Sequence, residues 1–178
     1  MRARQRRWPR VWLMTDERMG ERLWAALERL PDGAGVVFRH YSLPRDAREE
    51  LAARVADLAR ARRLVLAVAG DPKLALRLGA ELVHNPEGSA GALPFSRSVH
   101  SLEEAKAARV EGAALVFVSP VNATRSHPGQ EPLGRHAAGR IARTSGVPAI
   151  ALGGMDSARF ALLEREGFDG WAGIDAWL

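Results

Sequence analysis

Short runs of β-branched and other apolar residues alternate with longer stretches in which apolar side chains recur every three or four positions. A strand turns its side chains over with period 2 and a helix with period 3.6, so the alternation predicts strands joined by helical crossovers. The first run, VWLMTD at 11–16, precedes a helical stretch over 18–30 with Leu23, Trp24, Leu27 and Leu30 on one face. Pro31-Asp32-Gly33 ends that helix. GVVFRH (35–40) leads to a helix over 45–61 that opens just after Pro44. LVLAVA (64–69) leads to a short helix with Asp71 as its cap and Pro72 in its first position. ELVH (81–84) is followed only by NPEGSAGA, too short and glycine-rich for a full helix.

Four more runs complete the pattern. LPFSRS (93–98) precedes a helix near 101–111, and ALVFVSP (114–120) precedes a long polar loop and a helix near 134–145. PAIALGG (148–154) precedes a helix near 156–166, and FDGWAGI (168–174) ends four residues before the C-terminus. Eight strands with helical crossovers predict parallel α/β architecture, and the count points to a compact (β/α)8 TIM-type barrel. Its fourth helix is reduced and its last helix is missing. A doubly wound open sheet is the alternative, and no G-x-G-x-x-G follows any strand to favour a dinucleotide fold. Residues 1–9 read as a basic tail and 10–178 as the barrel.

Composition narrows the class. The chain has 178 residues, 47% of them apolar, enough for one domain with a sizeable core. Without cysteine, disulfides and thiolate chemistry are excluded. No apolar stretch reaches the roughly 18 residues of a membrane span, and the basic start lacks the apolar region of a signal peptide, so a cytoplasmic protein is expected. The net charge of +5 includes Arg2, Arg4, Arg6, Arg7 and Arg10 near the start. The other basic residues are scattered and no nucleic-acid motif appears, so nucleic acid is not the expected partner. Monomer and homo-oligomer both remain open.

A parallel barrel places its site at the C-terminal ends of its strands. Those ends carry Asp16, Arg39-His40-Tyr41, Gly70-Asp71, His84, Ser98, His100, the loop from Ser119 to Gly134, Gly153-Gly154 and Gly173 to Asp175. Gly153-Gly154 precedes a helix, where free N–H groups attract phosphate, although turn geometry alone also explains a glycine pair.

The segments SVHSLEEAKAARVEGAALVFVSPVNAT, PLG and VPAIALGGM, with WLMTD near the start and FRH after the second strand, resemble the thiamine phosphate synthase and thiazole tautomerase (TenI-type) superfamily. The resemblance implies a (β/α)8 barrel that binds a small phosphorylated thiazole or pyrimidine, and magnesium. It implies substrate-binding roles for Arg39, Ser98, Thr124, Arg125 and His127, and a phosphate site at Gly153, Gly154 and Gly173. Of the superfamily's Gln-x-Arg-x-Lys pattern on strand two, only Arg39 is kept, with Tyr41 in the lysine position. The magnesium carboxylates correspond loosely to Asp71 and Glu87, and the serine of the phosphate site to Asp175. His127 stands at a lysine position. His100 matches the acid/base of the tautomerase branch, a task suited to imidazole, or else caps the helix that follows it. Three functions stand: coupling of a hydroxymethylpyrimidine diphosphate to a thiazole phosphate, metal-independent tautomerisation through His100, and ligand binding without catalysis.

Overall fold

The computed structural model describes residues 8–124, 129, 131–163 and 165–178. Eight parallel strands close a barrel in sequence order: β1 (Val11–Met14), β2 (Gly35–Phe38), β3 (Val65–Ala69), β4 (Leu82–His84), β5 (Phe95–Val99), β6 (Leu115–Val118), β7 (Ala149–Ala151) and β8 (Gly170–Gly173). Among the described residues, six helices fill the crossovers: α1 (Arg22–Arg29), α2 (Arg45–Ala61), α3 (Pro72–Arg77), α4 (Leu102–Glu111), α5 (Gly134–Ser145) and α6 (Ser157–Ala161). No helix joins β4 to β5, and β8 is followed only by a 3-10 turn, Asp175–Trp177. The expected reduction at the fourth and last helices is therefore present.

Local chemistry sets the helix bounds. α2 turns Ala52, Val55, Ala56 and Ala59 inward, a spacing of three and four that makes one apolar stripe. Asp71 accepts from the N–H groups of Lys73 and Leu74, both at 2.9 Å, and so starts α3. Two expected helices are shorter than their apolar patterns. Before α1, Glu17–Met19 forms a separate 3-10 turn ended by Gly20. After α6, the N–H groups of Leu162, Leu163 and Glu166 each bond three residues back, so the chain tightens out of α geometry.

The barrel interior is filled from non-adjacent strands. The Trp12 indole of β1 meets Phe117 of β6 edge to face at 5.5 Å, and His84 of β4 meets the same ring at 5.1 Å. Rings from strands 1, 4 and 6 touch only by pointing into the barrel. Trp12 is fully buried, and an indole of ~200 Å² contributes on the order of 5 kcal/mol by leaving water. Gly35, its register partner on β2, makes the room: a Cβ there would overlap the indole. Trp171 of β8 stacks on Trp177 at 5.3 Å, and the Trp177 indole N–H donates to Trp12 O at 3.3 Å. This pair covers the flank where a last helix would lie. Among the described residues, no helix is long and apolar enough to cross a membrane.

Candidate functional site

Two clefts open at the C-terminal ends of the strands. One, of about 360 Å³, is walled by the turns after β6, β7 and β8 and includes Arg39, His100, Thr124, Gly153, Gly154 and Gly173. The other, of about 600 Å³, lies over the ends of β3 and β4 and includes Tyr41, Arg48, Asp71, Lys73 and Glu87. Arg39 faces the first and Tyr41 the second, two residues apart on the segment leaving β2.

The fold aims Arg39 firmly. Its backbone N–H and its Nε donate to Thr15 Oγ1 and Thr15 O at 3.0 and 2.8 Å, and Nη2 pairs with Asp16 at 3.0 Å. Burial pulls its pKa down against the charge of Asp16, and a group as basic as a guanidinium remains charged. Burial alone would raise Asp16, but hydrogen bonds from Arg18 and the Arg18 and Arg39 charges outweigh it and hold the carboxyl below its ordinary range. Asp16 thus stays ionised as the anchor of Arg39.

His100 does not cap the helix after it with its ring. Ser101 does that, accepting from Glu104 N at 3.1 Å, while the His100 N–H donates to Glu104 Oε2 at 2.6 Å. The imidazole instead reaches Ser119 O with Nδ1 at 2.7 Å. A carbonyl only accepts, so Nδ1 carries the proton and Nε2 of the neutral ring is left as the acceptor.

The glycine pair joins two walls of the smaller cleft. Val121 N donates to Leu152 O at 2.8 Å and Asn122 N to Gly153 O at 3.1 Å. Gly153 (φ +98°) leaves no room for a side chain: a Cβ would lie 2.7 Å from Pro120 Cα. Gly154 (φ +56°) is crowded in the same way by Ala123 O. Close passage of the β6 loop is therefore a sufficient reason for both glycines. Their own N–H groups find no backbone acceptor among the described residues and remain available to an anion. The loop is closed at its base, where Leu133 N and Gly134 N donate to Pro120 O and Val121 O at 2.8 and 3.1 Å.

The remaining sequence-predicted residues fall in three places. Thr124 lines the smaller cleft. Arg125 and His127 lie outside the described residues. Ser98 lies in a polar layer inside the barrel: its N–H donates to Asn85 Oδ1 at 2.8 Å and its Oγ accepts from Asn85 Nδ2 at 3.1 Å. In the same layer, Nδ1 of the buried His84 is 2.9 Å from Ser96 Oγ. Burial first, then the Arg39 and Arg97 charges, lowers His84 to about 3, so this histidine is neutral. His40 stacks on Phe38 at 5.0 Å and bonds Thr15 Oγ1 through Nδ1 at 3.0 Å, and burial likewise lowers its pKa. His40 and His84, which the strand-end pattern also named, are both buried and held by these ring and hydroxyl contacts.

Several lining residues escaped the sequence reading. Asp156 and Arg159 line the smaller cleft from the start of α6, and Arg48 reaches the larger cleft from α2. Nothing in the strand-end pattern signals a helical arginine. Asp71 and Glu87, the candidate magnesium carboxylates, line one cleft together. Among the described residues, no cluster of three or more metal-ligating side chains forms. Magnesium commonly takes one or two carboxylates plus substrate phosphate oxygens, so this donor pair fits an ion that arrives with a phosphorylated substrate.

The model of a family described as thiamine monophosphate synthase matches residues 11–177. An Aquifex aeolicus protein named "Putative thiamine-phosphate synthase 2" is 31% identical over 182 residues, covering 96% of this chain and 98% of the relative. A thiamine-phosphate synthase of Anaeromyxobacter dehalogenans is 36% identical over 146 residues, covering 76% of this chain and 65% of the relative. A thiamine phosphate pyrophosphorylase structure from Pyrococcus furiosus superposes with a TM-score of 0.80 at 25% identity, covering 94% of this chain and 86% of that one.

Proposed function

The chain belongs to the thiamine monophosphate synthase family, and on that premise we propose that it joins a hydroxymethylpyrimidine diphosphate to a thiazole phosphate. The observation that carries the reading is the pair of clefts side by side at one end of the barrel, with Arg39 and Tyr41 on their shared flank. In the smaller cleft, the N–H groups of Gly153 and Gly154 hold the thiazole phosphate and Thr124 and Arg39 orient it. The larger cleft takes the pyrimidine with its diphosphate. The thiazole nitrogen gives its lone pair to the pyrimidine methylene carbon, and the C–O bond breaks with its electrons leaving on pyrophosphate. Holding both reactants in adjacent clefts makes this step effectively unimolecular. Asp71 and Glu87 would hold magnesium, which supplies charge neutralisation for the departing diphosphate.

A second reading rests on His100. The Ser119 carbonyl fixes its tautomer with Nε2 as the base, which suits shuttling a proton on a thiazole ring. One experiment separates the readings. Incubating the protein with both precursors and magnesium yields thiamine phosphate and pyrophosphate if it couples them. Absence of product, with both precursors still raising the melting temperature, removes the coupling reading. Interconversion of thiazole tautomers by the wild type, lost in His100→Gln, supports the second reading; tautomerisation undiminished in that variant removes it.

A further inference from the structure

Arg48 carries a charge that the fold orients but does not pair. It lies in the first turn of α2 and turns inward. Nη2 donates to Ala69 O at 2.7 Å and to Arg39 O at 3.3 Å, and Nε donates to Arg39 O at 3.3 Å. The guanidinium carbon also lies 5.6 Å from the Phe38 ring centre and 6.0 Å from that of Tyr41. Carbonyl oxygens and aromatic faces fix the plane of a guanidinium without cancelling its charge. Among the described residues, Arg48 forms no ion pair with a carboxylate, and its Nη1 makes no hydrogen bond. That leaves two N–H donors uncommitted on a half-buried cation.

Those donors belong to a residue that lines the larger cleft. Lys73 adds a second cation there, and Tyr41, Leu76 and Leu93 contribute ring and apolar surface. Of the two carboxylates in the same cleft, Asp71 has Oδ1 committed to the start of α3. Mixed apolar and cationic walls suit a flat ring with an anionic group attached. A guanidinium suits that group better than an ammonium does, because the carbonyls fix its plane and leave both N–H groups of Nη1 for phosphate oxygens.

We propose that Arg48 binds the diphosphate of the pyrimidine substrate in the larger cleft, supplying from a helix the cation that the segment after β2 lacks at Tyr41. The assignment rests on the coupling reading for the identity of the ligand and on the geometry above for the residue. The carbonyls of Arg39 and Ala69 hold the guanidinium in place before substrate arrives, so little ordering remains to be done on binding.

The test is titration of magnesium pyrophosphate into the full chain and into Arg48→Gln and Arg48→Lys, together with KM values for both precursors. Gln keeps an amide donor for the carbonyls and removes the charge; Lys keeps the charge and loses the plane that the two carbonyls fix. The expected result is at least a tenfold weaker Kd for pyrophosphate in R48Q and a smaller loss in R48K. KM for the pyrimidine diphosphate rises in parallel, while KM for the thiazole phosphate stays within twofold. Pyrophosphate binding in folded R48Q within twofold of wild type overturns the proposal, as does an equal rise in both KM values. Should R48Q fail to fold, the wild type decides: Tyr41 is the sole tyrosine, and its ring resonances must shift when pyrophosphate is added. Unshifted resonances overturn the site. Arg48-dependent pyrophosphate binding without thiamine phosphate formation removes the coupling reading alone, and coupling that ignores Arg48 removes this proposal alone.

Discussion

Gly153→Ala tests whether the glycine pair is demanded by the loop crossing it. Two costs follow from the geometry. The left-handed backbone at φ +98° penalises any Cβ, by roughly 1–2 kcal/mol. The new carbon would also press on Pro120 Cα at 2.7 Å and Val121 N at 3.1 Å, both backbone atoms with little freedom to yield. Such overpacking costs roughly 1–3 kcal/mol, so the sum is about 2–5 kcal/mol. Gly33 supplies the control: its φ is +75°, and a Cβ there meets nothing within 4 Å. Gly33→Ala therefore carries the backbone cost alone. Each kcal/mol moves the melting temperature by roughly 2–4 °C in a domain of this size. Urea unfolding of both variants, with m-values compared to confirm that one transition is measured, gives the two free energies. A G153A loss no greater than that of G33A refutes the crowding argument. A second readout is phosphate affinity: Pro120 and Val121 form the base of the β6 loop, so displacing them weakens phosphate binding in G153A and leaves it unchanged in G33A.

Two further outcomes follow from the charges. His84 is held near 3 in the folded chain, whereas an unfolded histidine takes its proton near 6.5, so between these values the unfolded state binds more protons and stability falls as pH falls. The slope is at most about 1.4 kcal/mol per pH unit; denaturant midpoints at stepped pH should fall more steeply for the wild type than for His84→Gln, and equal slopes refute the assignment. Asp175→Ser removes a carboxylate from the cleft that contains Gly153 and Gly154, and should tighten inorganic phosphate binding about tenfold in calorimetry; unit charges 4 Å apart interact by roughly 1–4 kcal/mol at effective dielectrics of 80 to 20, which covers that change. Unchanged or weaker binding sinks this account of Asp175.

The barrel was legible in the chain because its evidence is periodic and local. Eight apolar runs, each ending in polar or glycine residues, name the strands and their order, and the pairing of β1 with β8 closes them into a barrel rather than an open sheet. Asp71-Pro72 marks the start of α3 by chemistry acting within three residues, whereas α4 is capped by Ser101 and not by the His100 that the sequence reading offered. Helix ends were less legible. The apolar pattern past Ala161 continues, yet the backbone there bonds three residues back, a choice that periodicity does not record.

The site divides in the same way. Arg39, His100, Thr124, Gly153, Gly154 and Gly173 share one cleft because strand ends converge wherever the strands are parallel, which makes them legible by position. Ser98 satisfies the same positional rule and yet bonds Asn85 within the polar layer, because a strand-end side chain can turn along the barrel axis as well as into the mouth. The sequence by itself determined the strands and their order, and it named Arg39, His100, Thr124, Gly153, Gly154 and Gly173, which line one cleft. Only the tertiary structure decided which nitrogen of His100 bears the proton, why Gly153 and Gly154 tolerate no side chain, and that a helical arginine faces the larger cleft. Each of those depends on a partner distant in the chain: Ser119 for His100, the β6 loop for the glycines, Ala69 for Arg48. Contacts of that kind arise only when the closed barrel brings separate strand ends together.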